Sequence, residues 1–313
     1  MGFRGKNIIS IRDLSKKDLK YILDISKSFE KERYKTLLED SVLASLFFEP
    51  STRTRLSFES AMSQLGGKVI GFDDSDTSSV KKGESLSDTI KTVERYSDVI
   101  VMRSPIEGSS RLASEVTDVP VINAGDGSNQ HPTQTLLDLY TIKSVKKEFN
   151  GLKIGFMGDL KYSRTIHSLI IALKLWDVEM YFISDDDLQI TDDYLNELDK
   201  AGITYYKTSK ILDVSDKLDI LYATRIQKER FSDDMSYEQY KDSYKINKSL
   251  LKKCKSDIKI MHPLPRVNEI DTNLDDTENA IYFDQAENGI IVRKALLALV
   301  LGKIKWKKIK KFH

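Results

Sequence analysis

The run Phe48-Glu49-Pro50-Ser51-Thr52-Arg53-Thr54-Arg55 places three hydroxyls and two guanidinium groups just ahead of a helical pattern that resumes at Leu56. At a helix start, unpaired backbone N–H groups and the helix dipole already favour an anion, so a phosphate fits this stretch. An ordinary Ser/Thr cap beside two solvated arginines has the same composition. His131-Pro132-Thr133-Gln134 follows the Gly125-Asp126-Gly127 loop and opens another helical pattern at the carboxyl end of a predicted strand, where open α/β sheets bind ligands. One His and one Gln there can hydrogen-bond a small carbonyl and an amide nitrogen; a capping or core histidine is the plainer alternative. Arg103 follows the apolar stretch 99–102 and faces the same edge, as a ligand group or as half of a surface ion pair.

The second half repeats the pattern with different chemistry. Gly158-Asp159-Leu160-Lys161-Tyr162-Ser163-Arg164 and Ala223-Thr224-Arg225-Ile226-Gln227 each follow a predicted strand and each offer one arginine. Two separate guanidinium forks suit a dicarboxylate, unless each pairs with a nearby Asp or Glu. In His262-Pro263-Leu264-Pro265-Arg266 two prolines stiffen a loop and leave carbonyls that accept from an amine or amide; a rigid turn needs the same residues. The polar stretch 75–84, which contains Ser78 and Lys82, reads by itself as a solvated connection.

Alternating patterns position these groups. Strands are expected at 42–48, 69–72, 99–102 and 119–124, with helices from about Asp13, at 56–65, at about 85–96 and 111–116, and at 133–145. After a polar boundary at 146–151, a second series follows, with strands at 152–157, 179–183, 204–206, 220–223 and 258–261. Helices are expected at about 164–176, 192–201 and 248–253. This predicts an α/β fold of two doubly wound domains, each with a central, mainly parallel sheet flanked by helices. The domains are read as 1–146 and 147–286, with the apolar 290–304 segment forming a final helix and the 287–313 stretch rejoining the first domain.

Composition sets the limits. Apolar residues at 40%, charged residues at 31%, 15 Gly and 6 Pro exclude collagen-like and broadly disordered chains. With 49 Lys plus Arg against 48 Asp plus Glu, the net charge of +1 gives no whole-molecule attraction to nucleic acid or anionic membrane, so anion specificity must be local. The lysine-rich end from Lys303 to Lys311 reads as a solvated terminus. Cys254 is the only cysteine, no Cys/His cluster has zinc-ligand spacing, and no apolar run reaches the roughly 20 residues of a membrane span. The expectation is a cytoplasmic protein with no metal, no nucleic acid partner and no membrane. Gly155-Phe156-Met157-Gly158 lacks the G-x-G-x-x-G fingerprint, which argues against a dinucleotide.

Taken in order, Ser51-Thr52-Arg53-Thr54-Arg55, His131-Pro132-Thr133-Gln134, Asp159 to Thr165, Thr224 to Arg230 and His262 to Val267 resemble the motifs of the aspartate carbamoyltransferase family's catalytic chains, over essentially the whole sequence. The related ornithine enzymes typically carry Cys where this chain has Thr133 and Pro263. The resemblance implies a carbamoyl-phosphate domain, an aspartate domain, an active site in the interdomain cleft, and the committed step of pyrimidine biosynthesis without a cofactor. It also implies a homotrimer with shared active sites, and leaves open whether two trimers join regulatory dimers. On matched positions, Ser51, Thr52, Arg53, Thr54 and Arg103 would hold phosphate. Thr54, Arg103 and His131 would reach the carbonyl oxygen, and Gln134 with carbonyls of the Pro263, Leu264 and Pro265 run would hold the carbamoyl nitrogen. Arg164, Arg225 and Gln227 would hold L-aspartate, and Lys82 and Ser78 would enter a neighbouring subunit's site. Arg55 would be structural or indirect. The alternatives are a carbamoyltransferase for another amino acid and a noncatalytic anion-binding relative.

Overall fold

The segment Val42–Phe47 (β1) is buried along nearly its whole length, as a strand must be when helices cover both faces of a parallel sheet. In the computed structural model, which describes residues 2–31, 34–73, 83–227 and 244–304, β1 pairs with Lys68–Phe72 (β2) and Val99–Ser104 (β3). Val121–Asp126 (β4) adds to β3, giving the all-parallel order β2-β1-β3-β4. Lys153–Met157 (β5), Glu179–Ile183 (β6), Thr204–Thr208 (β7), Ile220–Ala223 (β8) and Lys259–Met261 (β9) form a second parallel sheet, ordered β7-β6-β5-β8-β9. The edge strands β2 and β7 alternate between exposed and half-buried residues and carry lysines, which blunts them against further pairing.

The helices are Lys16–Lys27 (α1), Thr52–Gln64 (α2), Leu86–Val93 (α3), Ser109–Glu115 (α4), Pro132–Lys146 (α5), Arg164–Leu173 (α6), Asp192–Ala201 (α7), Lys248–Leu251 (α8) and Tyr282–Val300 (α9). A capping box between Ser15 and Asp18 starts α1, and Pro132, whose missing N–H is no loss at a first helical position, starts α5. Contacts divide the chain into one unit of Met1–Tyr140 with Glu287–His313 and another of Thr141–Ala286. The first has a core including Ala44, Leu46, Ile100, Met102 and Val121. The second is built on Met157, Ile183, Leu221, Ile260 and Tyr282.

Several boundaries differ from the sequence reading. Helix α2 begins at Thr52 rather than 56, because its first turn is polar and carries no apolar period. The fourth strand starts at Val121, since Pro120 has no N–H for a ladder. Helix α9 spans 282–300 instead of 290–304: its first two turns are largely polar, and Gly302, at φ +67°, lies just past its end.

Candidate active site

Strand order reverses between β1 and β3, so the carboxyl ends of these neighbours lie at the switch point where α/β sheets hold ligands. After β1 the chain passes Glu49 and Pro50 into α2, whose N-cap Ser51 makes no side-chain cap hydrogen bond. The first-turn N–H groups of α2 have no intrahelical acceptor, and the hydroxyl that would normally cover them is uncommitted to that task. Thr52 and Arg53 are exposed and Thr54 is buried. Arg103 pairs with Phe47 across the sheet, next to a register shift between Met102 and Ser104, and its Nε lies 2.7 Å from Glu49 Oε1. Arg55 is engaged elsewhere: Nε donates to Glu59 at 2.8 Å, and Nη1 donates to Asp73. Those acceptors, Glu59 first, raise its pKa further and mark it as structural.

The β4–α5 connection is closed by the buried Asp126. Its Oδ1 accepts from Asn123 Nδ2 at 2.9 Å and from the Gln130 N–H at 3.1 Å, while Oδ2 accepts from the Gly108 N–H at 3.1 Å and Asn129 Nδ2 at 3.0 Å. This knot sets His131, 4% exposed, immediately before α5. One turn in, Gln134 Nε2 donates to Asp138 Oδ1 at 2.9 Å. A carboxylate only accepts, so the amide nitrogen must face it and Oε1 is left as the acceptor that Gln134 offers.

In the other unit the order reverses between β5 and β8. Gly158, at φ +114°, lets the loop after β5 lie directly on the loop after β8; a Cβ there would stand 2.1 Å from Thr224 O. Ser184 Oγ donates to Gly158 O at 2.7 Å, and His167 Nε2 is 2.8 Å from Leu160 O. Burial lowers the His167 pKa against that bond's opposite pull, which keeps the ring neutral and the loop pinned. Arg164 opens α6 and Arg225 follows β8, both half-buried. Arg225 borders a shallow recess lined also by Thr224, Ile226, Tyr244, Val267, Asn268 and Glu269.

After β9, His262 Nδ1 accepts the Leu264 N–H at 2.8 Å, so the ring proton is on Nε2, which donates to Glu269 Oε1 at 2.7 Å. Glu269 Oε2 accepts the N–H groups of Val267 and Asn268, each at 3.0 Å. Burial raises the Glu269 pKa, but the His262 bond and these backbone donors outweigh it and hold the carboxyl below its usual range. The turn containing Leu264 (φ +57°) and the cis Leu264–Pro265 bond is thereby fixed. Arg266 is taken up structurally: Nη2 donates to Asp275 Oδ2 at 2.6 Å, and its guanidinium lies 5.2 Å from the centre of the Tyr282 ring.

The structure thus gathers Ser51, Thr52, Arg53, Thr54 and Arg103 at the ends of β1 and β3, and sets His131 and Gln134 at the head of α5 in the same unit. Arg164, Arg225 and Gln227 follow β5 and β8, and Leu264 and Pro265 follow β9, in the other. Ser78, Lys82 and the tail from residue 305 lie outside the described residues. Sequence reasoning assigned no role to Glu49, Asp126, Asp138 or Glu269. Asp138 stands four residues after Gln134, a spacing that signals a helical side-chain pair; Glu269, seven residues past His262 in a loop, gives no local signal. Among the described residues, no cluster of His, Cys, Asp and Glu could hold a metal ion, and no helix is long and apolar enough to cross a membrane.

Residues 6–144 match the carbamoyl-P binding domain of aspartate/ornithine carbamoyltransferase, and residues 150–300 match the Asp/Orn binding domain of the same enzymes. The aspartate carbamoyltransferase catalytic subunit of Thermococcus kodakarensis is 55% identical over 306 residues, 96% of this chain and 99% of that protein. The crystallised catalytic subunit of M. jannaschii aspartate transcarbamoylase superposes with a TM-score of 0.90 at 51% identity, covering 95% of this chain and 98% of that one. Aspartate transcarbamoylase from Trypanosoma cruzi, in complex with carbamoyl phosphate and aspartate, gives a TM-score of 0.89 at 35% identity, with 96% of each chain covered.

Proposed function

The chain belongs to the aspartate/ornithine carbamoyltransferase family, and on that premise we propose that it transfers the carbamoyl group of carbamoyl phosphate to the amine of L-aspartate. The products are N-carbamoyl-L-aspartate and phosphate. The choice of acceptor is carried by the two arginines, Arg164 and Arg225, that follow neighbouring strands at the second sheet's switch point. Each fork matches one carboxylate; a cationic acceptor such as ornithine would leave one of them facing a positive charge.

The physical problem is repulsion. Up to about four negative charges must come within a few ångströms, where even screened repulsion costs kilocalories. The head of α2, with Ser51, Thr52, Arg53 and Thr54, holds phosphate together with Arg103. As the neutral amine attacks, charge gathers on the carbonyl oxygen, and Thr54, Arg103 and His131 stabilise it as an oxyanion hole. Gln134 Oε1 and the Leu264 and Pro265 carbonyls accept from the carbamoyl nitrogen; Gln227 joins the arginines in holding aspartate. Phosphate is the leaving group and can itself take the amine proton, so orientation and fixed charge supply most of the acceleration.

The proposal extends to a cytoplasmic homotrimer in which Lys82, with Ser78, serves a neighbouring subunit, and to the committed step of pyrimidine biosynthesis. A colorimetric ureido assay with aspartate and with ornithine tests the reaction: rapid turnover with aspartate alone is expected, and turnover with ornithine alone refutes the acceptor. Verified mixed trimers of Lys82→Ala and Arg53→Ala chains should recover activity that neither parent has; no recovery removes Lys82 from the shared site.

A further inference from the structure

One buried charge in the first unit has no part in the scheme above. Arg293, on α9, is 3% exposed. Its guanidinium lies 4.9 Å from the centre of the Phe58 ring, and Nη2 is 3.5 Å from Thr133 Oγ1. Phe58 stands one turn beyond Thr54 on α2, and Thr133 directly precedes Gln134 on α5. Arg293 therefore touches both helices whose heads carry the anion and carbamoyl groups. The room is made by Gly289, one turn earlier on α9, where a Cβ would come 2.3 Å from Nη1. Burial pushes the Arg293 pKa down to about 10, while the charge of Asp138, itself fully buried, pulls it back up.

The consequence runs through Gln134. Its amide is directional only because the group it faces cannot donate, and that group is the Asp138 carboxylate at 2.9 Å. A buried carboxylate stays ionised only beside a compensating positive charge. Resting on the assignment of carbamoyl phosphate to this unit, the geometry points to Asp138 and Arg293 as positioning residues that keep Gln134 Oε1 turned outward as an acceptor, and so make the site choose an amino-bearing acyl phosphate over a methyl-bearing one. Neither residue touches substrate. The Asp138→Asn substitution brings in N–H donors, which can claim Gln134 Oε1 and turn its amide over.

The test compares binding of carbamoyl phosphate with that of acetyl phosphate, which has a methyl group in place of the amine, by calorimetry on the full-length chain. Asp138→Asn is expected to weaken carbamoyl phosphate by about tenfold or more and leave acetyl phosphate within about twofold, because only the amine-bearing ligand uses the acceptor. Gln134→Leu sets the ceiling for that change in ratio. Arg293→Met, which removes the buried cation, should move the ratio the same way by about threefold, and Arg293→Lys, which keeps it, should stay closer to wild type. Equal weakening of both ligands, or an unchanged ratio in the folded Asp138→Asn and Arg293→Met proteins, overturns the inference. A wild-type chain that binds neither acyl phosphate refutes instead the assignment of the first unit.

Discussion

On the proposed assignment, the two switch points hold an anion at the open end of a parallel sheet by different means. In the first unit the recognition groups sit on the opening turns of long helices, α2 and α5, and much of the donor set is backbone and hydroxyl. In the second, the proposed selectivity rests on two side-chain forks, Arg164 at the first residue of α6, beside a turn held by His167 at Leu160 and by the close approach at Gly158, and Arg225 in the loop after β8. A phosphate site built largely of helix-head backbone and hydroxyls is tied to the fold itself, whereas an acceptor site built of side-chain forks can be exchanged without rebuilding the sheet. This division explains why one architecture can serve different acceptors.

The contrast can be broken most forcefully at Arg53. Arg53→Ala should cut kcat by about a thousandfold, the scale of losing a charged partner of the reacting groups, with its thermal midpoint unchanged. A near-normal kcat in the folded variant would dismantle the first half-site. At the other switch point, Arg164→Ala should raise the KM for aspartate by about tenfold to a hundredfold, as expected for a hydrogen bond to a charge. A pure kcat loss at unchanged KM would deny it a binding role.

The braces come next. Glu269→Gln leaves a side-chain amide facing His262 and backbone donors, and should cost about 1 to 3 kcal/mol of folding stability at neutral pH, read from denaturant midpoints. Because folding lowers the Glu269 pKa, its contribution is fully present above the unfolded value of about 4.3 and fades as pH falls through the lower folded one. The gap between wild type and variant should therefore close in acid; a gap constant from pH 7 down to 3 would show that the charge is immaterial. Least affected should be Arg55→Ala. Its partners Glu59 and Asp73 form a partly exposed network, so a stability loss below about 1 kcal/mol and little change in kcat are expected. A hundredfold fall in kcat would move Arg55 into the phosphate site.

Much of this was legible in the residues themselves. The hydroxyl and arginine run of 51–55, the His131 to Gln134 stretch and the two strand-following arginines are local patterns, and strand alternation places them at sheet edges before any contact is known. What escaped is what depends on tertiary pairing. Glu49 meets Arg103 only because β1 and β3 are neighbours. Asp126 reads as a loop residue until Asn123, Gly108, Asn129 and Gln130 close around it. Arg293 lies in a segment whose apolar run announces a core helix, and nothing nearby in sequence reveals that its charge is buried beside Phe58 and Thr133. The first turn of α2 reads as loop in the sequence because Thr52, Arg53 and Thr54 are polar and carry no apolar period.

The central claim is that the phosphate-binding and acceptor-binding functions reside in separate units, and equilibrium binding of carbamoyl phosphate to the folded Arg225→Ala protein in the absence of aspartate tests it most directly. The account predicts a Kd within about twofold of wild type alongside a KM for aspartate raised by tenfold or more. Carbamoyl phosphate binding that weakens in step with aspartate would contradict it.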